Sequence, residues 1–214
     1  MVKIKTFVFN PFQVNTYVLY EDSGNCAIID PACYTREEEM ALEAFISENK
    51  LKPSHLLLTH GHIDHILGCQ FIFNKYGLKP ITHAGSLPFL ENAVSYGSTF
   101  GFSVNQPPMP EKLLDHGEKF NLGGRAIEAL HTPGHAEGSI CYYLEEQKVL
   151  FAGDVLFRMG IGRTDLPTGD YDTLIEAIKT NLLSLPEDVI VYPGHGPSTT
   201  IKEERDMNPF LNGF

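Results

Sequence analysis

Cysteine is scarce in this sequence and poorly placed for cross-linking. Cys26, Cys33, Cys69 and Cys141 form no CxxC pair and stand 7, 36 and 72 residues apart. That spacing fits neither a disulfide framework nor a zinc knuckle, so the four read as reduced, mostly buried packing residues. Positive charge is short too: 16 Lys and Arg face 27 Asp and Glu, a formal charge of −11. This balance opposes the counterion release that drives nucleic-acid binding, and no nucleic-acid partner is expected. No stretch approaches 18 apolar residues, so no membrane-spanning helix and no membrane partner are expected. Lys3 and Lys5 lie inside an extended apolar pattern rather than ahead of a hydrophobic run. No secretory leader is therefore read, and a cytoplasmic location is the expectation. Internal repeats, low-complexity tracts and a Ser-His-Asp arrangement are also missing.

What remains is an ordinary globular composition. The 214 residues are 43% hydrophobic and 20% charged, with 19 Gly and 14 Pro. A chain of this size buries roughly 70% of its unfolded surface, enough for one substantial core and a single domain over residues 1–214. β-Branched and aromatic runs predict strands over 3–9, 14–20 and 26–30, a meander. Thr35 with Glu38 makes a capping-box pattern that opens a helix to about residue 50, ended by Leu51-Lys52-Pro53. A short buried strand over 56–58 then feeds a His-rich loop, and a helix over 66–76 closes at Gly77. A weaker strand over 79–82 precedes a helix over 86–96, and Pro107 to Pro110 mark a surface loop. Further strands are expected over 119–121, 126–131, 139–144, 149–152 and 189–192, with a helix over 171–183. Strand runs flanked by helices predict an α/β (α+β) architecture, an αββα sandwich in which each half of the chain supplies one mixed sheet.

The most informative segment is Thr59-His60-Gly61-His62-Ile63-Asp64-His65, with four candidate metal ligands in six residues. Residues two apart on a helix are separated by about 200° around its axis, so His60 and His62 can share a metal only from a loop or extended backbone. The strand before them supplies it. Asp64 and His65, opening the next helix, then point elsewhere, which suits a second metal nearby. Neither site is complete with two ligands. His135 in Thr132-Pro133-Gly134-His135, Asp154 in Gly153-Asp154, and His195 in Pro193-Gly194-His195-Gly196 supply more. Each follows a predicted strand beside glycine, where a sharp turn projects a short side chain into a shared pocket. Asp154 can bridge two metals through its two oxygens. His55, His83, His116 and His131 read as surface or hydrogen-bonded residues.

In order and spacing these motifs resemble the metallo-β-lactamase-fold hydrolase superfamily, over nearly the whole sequence. The resemblance implies one metal on His60, His62 and His135, another on Asp64, His65 and His195, and Asp154 between them. It adds Asp30, in Ile28-Ile29-Asp30-Pro31, as the aspartate beside the metal ligands. An aspartate at position 154 argues against the secreted β-lactamases with a cysteine ligand. His62 in place of a glutamate argues against the flavodiiron oxygen reductases, and the acidic balance against the nuclease members. Gly160 to Asp165 and Gly194 to Thr200 are similar to the hydroxyacylglutathione hydrolase (glyoxalase II) branch. There Arg163 stands where many members carry a lysine that contacts glutathione. The sequence ends 19 residues after His195, which implies the short type without a C-terminal helical glutathione-binding domain.

The function this implies is a binuclear thioesterase. A hydroxide between two divalent ions, with zinc first and iron or manganese as alternatives, attacks the thioester carbonyl. Asp64 orients it and accepts its proton, and Arg163 holds a substrate carboxylate. The partner is a small-molecule thioester, with glutathione one candidate thiol. Three other readings stand beside it. One is a single-iron persulfide dioxygenase using His60, His135 and Asp154, since that branch resembles the sequence over Gly162 to Asp165. Another is a hydrolase of some other small ester or lactone. A non-catalytic metal module needs only four ligands, fewer than these seven. Oligomeric state is not legible in one sequence.

Overall fold

Strand alternation sorts the core into three layers. β1 (Lys3–Phe9), β2 (Val14–Tyr20) and β3 (Asn25–Ile29) form the expected antiparallel meander. α1 (Arg36–Glu48) opens on Thr35, whose side chain accepts from the Glu38 amide while the Glu38 carboxylate accepts from the Thr35 amide. The chain returns as β4 (Lys52–Leu57), parallel to β3, and continues through α2 (Ile63–Ile66) and α3 (Cys69–Tyr76). β5 (Pro80–Thr82), α4 (Leu87–Glu91), α5 (Ala93–Thr99) and β6 (Lys112–Leu113) complete the first half. The sheet runs β1-β2-β3-β4-β5-β6.

The second half begins with an antiparallel run of β7 (Lys119–Leu122), β8 (Arg125–His131), β9 (Ile140–Leu144) and β10 (Val149–Gly153). A small hairpin of β11 (Leu156–Phe157) and β12 (Gly160–Ile161) follows. α6 (Tyr171–Ala177) leads into a π-turn over Ile178–Leu182. β13 (Ile190–Pro193) lies parallel to β10, β14 (Thr199–Thr200) pairs antiparallel with β13, and α7 (Ile201–Met207) closes the fold. This sheet runs β14-β13-β10-β9-β8-β7. The computed structural model describes residues 2–211.

Both faces of the central strands are covered, and successive residues go to different layers. Val18, Cys26, Ile28 and Leu56 pack under Leu42, Ile46 and Ile72 of the helices on the first sheet. Their neighbours Leu19, Ala27, Ile29 and Leu57 meet Ile127, Tyr142, Val149 and Phe151 between the sheets. Leu150 and Ala152 face outward again, against Leu174, Ile178 and Ile201. The αββα sandwich expected from the sequence is the architecture found. All four cysteines are unpaired and buried, and burial pushes the thiols of Cys26, Cys33 and Cys141 up to about 12. Among the described residues no helix is long and apolar enough to cross a membrane.

The departures are local. The helix expected over 66–76 starts earlier and breaks at Leu67-Gly68. At Gly68 a Cβ would sit 2.5 Å from Cys33 Sγ and 2.7 Å from the Pro31 carbonyl, so tertiary contact with the Asp30 loop stops the first segment there. The helix over 86–96 becomes two, meeting at Asn92. Pro53, expected to terminate a helix, lies inside β4 beside a register shift, the kind of irregularity at which strands accommodate proline. The two-residue strands β6, β11, β12 and β14 are too short to carry a periodic signal.

Candidate metal centre

All seven expected ligands gather at one edge of the sandwich, beyond the C-terminal ends of β4, β8, β10 and β13. Three sets of ligand atoms lie within 4.8 Å of one another: His60, His62 and His135; His60, His65 and Asp154; Asp64, His65 and His195. Local structure provides the divergence that spacing required. His60 lies in the extended segment after β4, and His62 is the extended cap of α2. Asp64 and His65 then turn away on the helix itself.

Four of the five rings have one nitrogen committed to the scaffold. His135 Nδ1 donates to the Arg163 carbonyl at 2.8 Å, and His195 Nδ1 to the Phe12 carbonyl at 2.9 Å. His65 Nδ1 lies 3.0 Å from Asp30 Oδ2. Thr59 donates its hydroxyl to the same Asp30 oxygen at 2.6 Å, which leaves its lone pairs to accept from His60 Nδ1 at 3.1 Å. These bonds turn the Nε2 edge of each of these four rings toward the cluster, as metal-binding histidines require.

The atoms turned inward have no partners. His60 Nε2, His65 Nε2, His135 Nε2 and Asp154 Oδ1 are buried without a hydrogen bond, an arrangement that costs about 1–3 kcal/mol per group unless something else satisfies it. His65 Nε2 is 3.4 Å from Asp154 Oδ1; Asp154 Oδ2 is 3.7 Å from His135 Nε2 and 3.4 Å from His195 Nε2. Asp64 Oδ2 is 3.5 Å from His195 Nε2 and 3.8 Å from His65 Nε2. Charge-assisted hydrogen bonds are shorter, about 2.7–2.9 Å. Two ligands on one tetrahedral zinc lie about 3.3–3.4 Å apart, from bond lengths of about 2.0–2.1 Å. The donor set therefore fits divalent cation binding, with Asp154 and His65 facing more than one set of ligands.

Electrostatics divides the rings. Burial, then the neighbouring rings, holds His60 well below the ordinary histidine range and pushes His62 down to about 3; burial also lowers His135. Burial opposes charge on His65 as well, but Asp154, Asp64 and Asp30 outweigh it and hold that ring well above its usual value. His195 rises to about 9, burial being overcome by the facing carboxylates of Asp154 and Asp64. Burial penalises the Asp64 and Asp154 carboxylates too, yet the adjacent His65 keeps both below their ordinary values. The raised His65 and His195 rings lie beside the Asp64 and Asp154 carboxylates, so cation binding at this cluster would release protons.

A profile match to the metallo-beta-lactamase superfamily spans residues 9–195. The chain belongs to this superfamily. It is 40% identical to hydroxyacylglutathione hydrolase GloC of Haemophilus influenzae, over 99% of each chain. The crystal structure of BLEG-1 B3 metallo-beta-lactamase superposes with a TM-score of 0.91 at 37% identity, covering 99% of this chain and 100% of that one. That of TTHA1623 in a di-iron-bound form gives 0.86 at 35%, covering 97% and 100%. Their names cover a hydroxyacylglutathione hydrolase, a β-lactamase and a di-iron form, so membership establishes a metallo-hydrolase scaffold and leaves the reaction to the site.

Asp30 and Arg163 complete the expected set. Asp30 is buried and collects the Thr59 amide, the Thr59 hydroxyl and His65. Arg163 lines the cavity over the cluster, but Asp165 clasps its guanidinium at 2.7 Å through both oxygens; its backbone carbonyl orients His135. Sequence reasoning missed the clasp that β2 makes on the His195 loop. Asn15 donates to the Pro193 and Gly196 carbonyls and Tyr17 to Pro193. The signal was present: Asn15-Thr16 interrupts an apolar strand, and buried polar residues need partners. His55, His83 and His131 make the outside contacts expected of them: His55 with Ser54, and His83 stacked on His131.

Proposed function

We propose that the protein is a binuclear metal-dependent thioesterase of the hydroxyacylglutathione hydrolase type, with a small-molecule thioester as substrate and a cytoplasmic location. The observation that carries it is the convergence of four partnerless buried ligand atoms, of His60, His65, His135 and Asp154, beside a cavity of about 740 Å³ that His62, Asp64, His135, Asp154 and His195 line. GloC, at 40% identity over both chains, supports the thioester. Four unpaired buried cysteines support a reducing compartment.

His60, His62 and His135 would hold one ion and Asp64, His65 and His195 the other, with Asp154 shared. A bound pair of divalent ions lowers the pKa of water toward neutrality and polarises a carbonyl. Zinc is the proposed metal, and the di-iron relative makes iron the competing assignment. The protein's own groups do the rest. Asp64, held deprotonated at the cavity wall, orients the attacking water and accepts its proton. Phe89, Phe157 and Ile161 on the walls exclude competing solvent. A thiol of pKa about 8.5 leaves as thiolate, so no strong general acid is required.

Elemental analysis of protein purified without chelator, paired with S-lactoylglutathione hydrolysis before and after metal removal, tests the reading. Near two ions per chain with chelator-sensitive hydrolysis is the expected result. One iron per chain with no hydrolysis overturns it in favour of the single-iron dioxygenase.

A further inference from the structure

We propose that Arg158, in the turn between β11 and β12, receives a carboxylate of the substrate in place of Arg163, and that the substrate is an apolar thioester with one such carboxylate. The bond cleaved rests on the thioesterase reading; the recognised anion rests on the cavity itself.

Two arginines line the cavity, Arg158 and Arg163. Arg163 is already charge-matched: Asp165, two residues along, takes the Nε and Nη2 side of its guanidinium, and a substrate carboxylate must share that cation with a tethered competitor. Arg158 is exposed on the same wall and has no anionic partner among the described residues. Its planar fork is free to take a carboxylate bidentately.

The turn that carries it is anchored from behind. Met159 has φ of +60°, a left-handed conformation uncommon for a side chain of this kind. Glu204 of α7, fully buried, accepts the Met159 amide at 2.8 Å. Asn208, also buried, donates to the Gly160 carbonyl at 3.0 Å and to Glu204 at 2.7 Å. The Thr199 hydroxyl donates to the other Glu204 oxygen. A buried carboxylate and a buried amide are thus spent on a two-residue turn, whose consequence is a fixed place at the cavity rim for Arg158. On either side of it Phe157 and Met159 line the same cavity. The hairpin therefore offers one cation between two apolar side chains, and the opposite wall adds Phe89, Tyr96 and Phe100. A ligand with an aromatic or aliphatic body and one carboxylate matches that lining better than one bearing several charges.

Binding of two non-hydrolysable thioethers to the metal-loaded protein, measured by calorimetry, tests this. S-Benzyl-3-mercaptopropionate carries the carboxylate, and S-benzyl-2-mercaptoethanol is its neutral counterpart. Wild type should prefer the anion by about 10-fold or more, the worth of one hydrogen bond to a charged group. Arg158→Ala should abolish the preference, Arg158→Lys should keep part of it, and Arg163→Ala should leave it within about threefold. Both arginines are exposed, and unchanged metal content in each variant checks the fold. Loss in Arg163→Ala but not Arg158→Ala restores Arg163 and overturns the proposal. Retention in both variants places the carboxylate on the metals and overturns it too, as does an absence of preference in wild type. Hydrolysis of S-benzoyl-3-mercaptopropionate by the same preparation separates the readings. If no chelator-sensitive turnover occurs while the thioether preference follows Arg158, the thioesterase reading falls and the arginine assignment stands.

Discussion

Asp30 shows how one side chain can organise a centre from outside it. Its carboxylate joins Thr59 and His65, and through Thr59 it sets the direction of His60. Asp30→Asn keeps the size and tolerates the φ of +48° found there, but removes the charge that anchors His65. Metal affinity should fall about 10–100-fold with the fold intact, read by chelator competition alongside circular dichroism. The histidines also predict a pH dependence. Because His195 rises to about 9, its ring is protonated in the metal-free protein at neutral pH, and a metal must displace that proton. Apparent affinity should therefore climb as pH rises from about 6.5 to 9, by about tenfold per unit for this ring alone. Zinc titrations at three pH values in that window, with proton release followed in weak buffer, measure it. The raised pKa also means that this ring's contribution to metal-free stability is present below about 6.5 and is lost as pH rises through about 9.

At the scale of elements, the strand ends do the positioning. β10 and β13 run parallel, so Asp154 and His195 emerge side by side, and the Gly194 amide donates to the Gly153 carbonyl at 2.7 Å. A Cβ at Gly194 would lie 2.1 Å from Asp154 Oδ1 and 2.8 Å from His65 Cε1. Gly194→Ala should push Asp154 out of place and lower metal occupancy, with a fall in metal affinity of about tenfold or more. Elemental analysis and a thermal melt of the metal-free variant separate this effect from unfolding. The glycine before His195 was readable as a turn; its role as a gap for a carboxylate was not, because the carboxylate arrives from a strand about forty residues earlier.

At the scale of the molecule, the metal centre ties the two halves together. His60, His62, Asp64 and His65 follow the first sheet, while His135, Asp154 and His195 come from the second. The Asn15 and Tyr17 bonds to the His195 loop are among the protein's own links across the same seam. Bound metals should therefore stabilise the whole sandwich. A ligand at about 1,000 times its Kd adds about 4 kcal/mol, or about 8–16 °C for a chain of this size. Calorimetric scans before and after chelation check it; a Tm that does not move would mean that the ligand atoms carry no cation in solution.

The ligand types, their order and the two-sheet outline were legible in the sequence, because dense histidines after a strand and alternating apolar runs are local signals. So was the capping box at Thr35. Where each ligand points was not. Asp154 faces both groups only because β10 and β13 pair across an intervening helix, and Arg163 is neutralised by a neighbour whose rotamer no spacing reveals. Nor could the sequence show that Glu204 and Asn208 hold the Arg158 turn, since that contact spans 45 residues between Glu204 and Met159. Chemistry of this kind is written in residue identity, whereas the free lone pairs, the unpaired cation and the shared carboxylate come from distances that close only when both sheets pack.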